Sequence, residues 1–203
     1  MAQDTYKTIL EPAESLYKEK SSKFLIYAYH VESEEQVKEY LAPLRKLHYD
    51  ATHHCYAWRV GYRGEKFRAN DDGEPSSTAG KPILGQLLSH EVTNCLIVVV
   101  RYFGGTKLGV SGLIEAYRDS ADLVLREADV VELTIDVTLD VEFSYLSMNS
   151  VMRIIKDEQP RIVAQEFDNL CRMRLAVRES KSEVLISKLS KVEGAILEVC
   201  DEE

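Results

Sequence analysis

Cys95 to Val100 is an unbroken apolar run, mostly β-branched, and it constrains the fold more than any other stretch of the chain. A short run of this kind suits a strand buried on both faces. It carries Arg101, Tyr102 and Phe103 to the strand's end. The chain then turns through Gly104, Gly105 and Gly109 into a helix expected to begin near Ser111 or Gly112. Most of the ten glycines lie between Gly64 and Gly112, which marks backbone of unusual geometry or close approach. Upstream, an acidic polar loop from Asn70 leads into a short helix opening with Pro82.

Strand, glycine loop, helix is an order that favours anions. The first turn of a helix leaves N–H groups unpaired at the positive end of its dipole, and a loop without side chains lets an anion reach them. Arg101, Lys107 and Lys81 would add positive charge beside Gly104, Gly105 and Gly109. No GKS or GKT follows the glycines, so this is not a Walker loop, and the spacing is not GxGxxG. A tight structural turn explains the same glycines equally well.

Separated blocks resemble a known family. Asp71-Asp72-Gly73-Glu74-Pro75 with Thr78-Ala79-Gly80, Pro82-Ile83-Leu84, and Arg101-Tyr102-Phe103-Gly104-Gly105 with Leu108-Gly109 and Gly112-Leu113 are similar to the YigZ/IMPACT family. Lys20-Ser21-x-Lys23-Phe24 and His53-His54-Cys55-Tyr56-Ala57 look like two further blocks of it, in the right order. Ser111 departs mildly from the pattern.

The resemblance implies an α/β (α+β) protein of two domains. Residues 1–135 would form an IMPACT-type two-layer α/β domain similar to domain IV of elongation factor G. Residues 136–203 would form a ferredoxin-like domain similar to domain V of that factor. It also implies regulation of translation, since eukaryotic relatives compete for an activator of the amino-acid-starvation kinase.

Composition sets outer limits. The balance of 45% hydrophobic and 29% charged residues is that of a globular protein, and a net charge of -9 argues against a broad nucleic-acid-coating surface. Any contact with RNA must be local. The start of the chain has neither a basic leader nor a long apolar run, so no membrane association is expected. Cys55, Cys95, Cys171 and Cys200 include no CxxC pair, which reads as reduced thiols in a cytoplasmic protein without a zinc site.

In chain order, the opening to Lys20 reads as one strand followed by a polar loop, and Phe24 to Tyr29 as a second strand. Ser33 and Gln36 form a capping box for a helix that Pro43 should kink or break. In the strand from His53 to Val60, His53, Cys55, Ala57 and Arg59 share one face. An enzyme would use His53 and Cys55 as base and nucleophile or as metal ligands; a buried structural cysteine is the more common role. Gly61 to Gly64 is a hairpin turn. Arg59, Arg63, Lys66 and Arg68 around it, with Tyr62 and Phe67 interleaved, could hold an RNA backbone and stack a base.

Asp71, Asp72, Gly73, Glu74, Pro75 and Thr78 form a loop too short and irregular for an EF-hand, so a structural or partner-facing role is expected rather than a metal. After the glycine loop, Leu113, Ala116, Tyr117, Ser120, Ala121 and Val124 make the inward stripe of a helix. From Val137 onward the pattern is βαββαβ, with Arg172, Arg174 and Arg178 on one strand face.

These readings converge on a binding protein of translation, without cofactor or metal. Its anion- or RNA-binding set is Arg59, Arg68, Lys81, Arg101, Gly104, Gly105, Lys107 and Gly109, and its partner is RNA, the ribosome or a ribosome-associated protein. The alternative is an enzyme, either one binding a phosphate or nucleotide at the glycine loop or a hydrolase using Cys55 and His53.

Overall fold

The computed structural model describes residues 4–200, which divide into two compact units: 6–133, and 134–200 together with residues 4 and 5. The first unit contains β1 (Thr5–Ile9), β2 (Ala13–Glu19), β3 (Ser22–His30), α1 (Glu34–Leu47), β4 (His53–Val60), β5 (Lys66–Asn70), α2 (Gly80–Ser89), β6 (Cys95–Tyr102), α3 (Gly109–Glu127) and β7 (Val130–Thr134), apart from the end residues Thr5 and Thr134, which fall in the second. Five of the strands form one antiparallel sheet in the order β2-β3-β6-β4-β5, and β1 pairs with β7.

The apolar run lies at the centre of that sheet, as β6, and every residue from Cys95 to Val100 is fully buried. Its alternate side chains divide between two cores. Cys95, Ile97 and Val99 join Phe24, Ile26, Cys55 and Ala57 beneath α2 and α3. Leu96, Val98 and Val100 join Tyr27, Tyr56, Trp58 and the α1 residues Val37, Leu41 and Leu44 on the other side. A central strand that is apolar on both faces requires cover on both, so the expected two layers are in fact three, with helices on either side of the sheet.

Local signals account for most boundaries. Ser33 caps α1 by accepting from the Gln36 amide, while the Gln36 side chain accepts from Glu32 N. Pro43 neither ends nor interrupts α1: burial of Leu41 and Leu44 on the facing turns outweighs the lost backbone bond. The opening stretch holds two strands rather than one, because the polar approach is β2, an edge strand whose side chains alternate between half-buried and exposed. The helix after the glycines begins at Gly109, earlier than expected.

The second unit runs β8 (Asp136–Phe143), a 3-10 turn at Tyr145–Ser147, α4 (Met148–Glu158), β9 (Arg161–Phe167), β10 (Cys171–Arg178), α5 (Glu179–Leu189) and β11 (Ile196–Cys200). Its antiparallel sheet has the order β11-β8-β10-β9, the ferredoxin-like arrangement. Leu139, Val141, Phe143, Met173 and Leu175 pack beneath α4 and α5. On the open face, Arg172 pairs with Glu142 at 2.9 Å and Arg174 with Asp140 at 2.7 Å, so these arginines are matched within their own sheet.

Pro43 is exposed inside a helix that continues past it, so Pro43→Ala restores a backbone bond at no packing cost. Stability in a denaturant titration should rise by about 1–2 kcal/mol, the helix-interior gain less the added freedom of the unfolded chain.

Candidate functional site

The sheet register builds one end of the first unit. His53 on β4 and Phe24 on β3 both lie opposite Arg101 on β6, so the three side chains share a face. The loop between β5 and α2 folds over that end and inserts Glu74. The Arg101 Nη1 donates to Glu74 Oε1 at 2.6 Å, and the two side chains are only 6% and 4% exposed. Tyr117 of α3 donates to the same oxygen at 2.8 Å, and Arg101 Nη2 reaches the Ser22 hydroxyl at 3.4 Å. The guanidinium lies over the rings of Phe24 and Phe103, 5.6 and 5.5 Å from their centroids. Its Nε is buried without a hydrogen-bond partner.

The rest of the loop is equally committed. Asp71 accepts from the amides of Ser77, Ala79 and Gly80, and so caps the start of α2. Burial alone would raise its carboxyl, but the three amides outweigh it and hold the group below its ordinary 3.8. Asp72 accepts from His54 N at 2.7 Å and from Arg45 at 2.9 Å. Thr78 bonds the Pro75 carbonyl at 2.7 Å. Gly73 places its backbone beside the His53 ring. Among the described residues no group of three or more His, Cys, Asp or Glu is placed to hold a metal.

His53 and Cys55 share a face but not a task. The His53 Nδ1 lies 2.8 Å from the Asp72 carbonyl, which can only accept, so Nδ1 carries the proton; Nε2 lies 3.8 Å from Glu74. Cys55 is fully buried, 3.0 Å from the Asp71 carbonyl and 3.3 Å from the Tyr117 hydroxyl. Burial pushes its thiol far above the ordinary range. Full burial within the core is the setting of a structural cysteine rather than of an accessible nucleophile.

The arginines expected to converge do not. Arg59 lies at the opposite end of β4 from His53 and donates to the Val92 and Arg63 carbonyls. Arg68 pairs with Trp58 and therefore belongs to the other face of the sheet. Arg101 is taken by Glu74. Lys81 in the first turn of α2 and Lys107 beside Gly104, Gly105 and Gly109 remain exposed.

The sheet adds cations that the sequence reading missed. Lys18 and Lys23 lie on β2 and β3 at this end, Lys20 on the turn between them, and Lys46 in the last turn of α1. All are exposed, and none of these lysines forms an ion pair among the described residues. The alternation of Ala13–Glu19 was the available signal. Asp71, Asp72 and Glu74 are engaged by amides and arginines, while these lysines are exposed.

The N-terminus of α3 adds to this surface. Leu108 gives it no side-chain cap and its first turn holds no acid, whereas α2 already carries the Asp71 carboxylate. Gly104 is fixed by contact: a Cβ there would lie 2.1 Å from the Ser21 carbonyl.

The Impact N-terminal domain matches residues 20–125, which include Arg101, Glu74, Tyr117 and the glycine loop. The chain belongs to the IMPACT family. It is similar to the IMPACT family member YvyE of Bacillus subtilis (strain 168), 34% identical over 155 residues, 76% of this chain and 71% of that protein. It is also similar to the IMPACT family member YigZ of Escherichia coli (strain K12), 31% identical over 173 residues, 84% and 85% of the two chains. A crystal structure of a hypothetical protein superposes with a TM-score of 0.71 at 28% identity, covering 99% of this chain and 100% of the other. The IMPACT loop from Asp71 to Thr78 is thus an internal brace in this protein. None of the helices described is long and apolar enough to cross a membrane.

Arg101→Ala should destabilise the protein by about 3–5 kcal/mol, because it leaves Glu74 buried and unpaired. The double change Arg101→Met with Glu74→Leu should lose much less, and urea titration of the three proteins reads the difference. Asp71 contributes stability above its unfolded value of 3.8, and that stability is lost as pH falls through its lower folded value. Asp71→Asn should therefore flatten the fall in melting temperature on acidification below about pH 4, where the wild type falls more steeply.

Proposed function

We propose that this IMPACT-family protein acts by binding in translation, engaging ribosomal RNA through the lysine-rich end of its five-stranded sheet. The observation that carries the reading is the sorting of charge at that end. Asp71, Asp72 and Glu74 are spent on amides and arginines, while Lys20, Lys81 and Lys107 face solvent. In a chain of net charge -9, an outward cluster of unpaired cations is a local feature suited to a polyanion.

Two further features fit RNA. The uncapped start of α3 offers amide donors to a phosphate through Gly105 and Gly109. Phe103, 46% exposed and backed by the Arg101 guanidinium, presents a fixed ring on which an unpaired base can stack. Family membership supports a role in translation, as the resemblance implied. The site thus keeps Lys81, Gly104, Gly105, Lys107 and Gly109, and omits Arg59, Arg68 and Arg101 as direct contacts.

The double variant Lys20→Glu/Lys107→Glu should lose at least tenfold in association with ribosomes or single-stranded RNA at low salt, with its melting temperature unchanged. The slope of log affinity against log salt should fall by about 0.7 for each phosphate contact removed. Equal association of variant and wild type across a salt series would rule the surface out.

A further inference from the structure

We propose that a cavity of about 340 Å³ on the α1 side of the sheet binds a nucleoside 5′-phosphate, with the phosphate between Lys18 and Lys23 and the base against Leu16 and Leu25. The inference deepens the reading above and rests on it for the source of the nucleotide, whether free or part of an RNA strand.

The register makes the argument. Lys18 and Lys23 are direct cross-strand partners on β2 and β3, and so are Leu16 and Leu25 two positions away, which puts all four on one face. Tyr102 lies opposite Lys23 on β6 and continues the row. Two like charges placed directly opposite each other destabilise a sheet, and neither has an ion-pair partner among the described residues. A dianion between them turns that repulsion into attraction. The position calls for a phosphate more than a carboxylate, because two ammonium groups match a charge near -2.

The remaining walls are already set. His48, at the end of α1, lies 2.8 Å from the Tyr27 hydroxyl through Nε2 and 2.9 Å from the Tyr102 hydroxyl through Nδ1. Tyr102 in turn donates to Asp50 at 3.1 Å. Both ring nitrogens and the phenol are thereby held in place, and the two lysines are the free polar groups of the cavity. Leu16 is 48% exposed, an apolar floor beside charged groups. A pocket with cations at one side and leucines at the other fits a ligand that is anionic at one end and flat and apolar at the other. Its volume lies near the lower limit for ligand pockets, roughly 300–1,000 Å³, which favours a single nucleotide over a dinucleotide.

The test is calorimetric titration of the full chain with AMP, adenosine, inorganic phosphate and a short single-stranded RNA. AMP should bind at least tenfold more tightly than adenosine or phosphate, and Lys18→Gln, Lys23→Gln and Leu16→Glu should each lose at least tenfold. Without ligand, both glutamine variants should melt at or above the wild-type temperature, which separates lost binding from lost fold. If AMP binds no better than phosphate, or binds both lysine variants as it binds wild type, the proposal is overturned. Competition by the RNA for AMP assigns the pocket to a nucleotide within a strand; AMP binding indifferent to the RNA assigns it to a free nucleotide, and both outcomes support the site. The two readings fail separately. Loss of RNA association with AMP retained removes the RNA surface alone, whereas RNA association retained without AMP removes this pocket alone.

Discussion

The contact between Arg101 and Glu74 underlies the arrangement of one whole end of the first unit. Both charges are nearly out of water, where desolvation costs several kcal/mol per ion, and a single short bond does not offset that. Tyr117, Ser22 and the rings of Phe24 and Phe103 complete the environment. Through this pair a loop, a central strand and a helix are fastened at one point. The loop cannot leave the sheet without exposing an unpaired charge, so the Asp71 cap on α2 and the Asp72 contacts to β4 and α1 are held along with it.

That fastening also decides which charges are available. Carboxylates that could have neutralised the lysines are turned toward amides and arginines. The two helix starts beside them differ for the same reason: one already has an internal carboxylate, and the other has no side chain to serve it. The cationic surface is therefore a product of how the acids are used as much as of where the lysines fall.

Periodicity made much of this legible. The run at β6, the alternation of β4 and the βαββαβ order of the second unit each follow from spacing within one element. The Asp71–Thr78 loop and the glycines were visible as motifs. Pairing between distant elements was not. Nothing local to Arg101 names Glu74, 27 residues earlier, as its partner, so a side chain that reads as an anion ligand is an internal counter-ion. Arg59 and Arg68 look like neighbours on a hairpin, yet the register puts them on opposite faces. β2 escaped notice because an edge strand with a solvated face has the composition of a loop. Pro43 misled in the opposite sense, since the burial of neighbouring turns overrode its local preference.

The glycine loop is anchored at Gly104 and again at the buried Leu108, with an exposed stretch between. Gly104 is pressed against the Ser21 carbonyl, while Gly105 and Gly109, both with positive φ, have open space around them. Phe103 thus sits beside the pressed Gly104, and Lys107 is exposed beside the buried Leu108. The proposed RNA contact would therefore combine one aromatic plane whose orientation is set in advance with one charge on a long, rotatable side chain. Such a pairing limits the entropy surrendered on contact while tolerating variation in backbone path from one partner to the next.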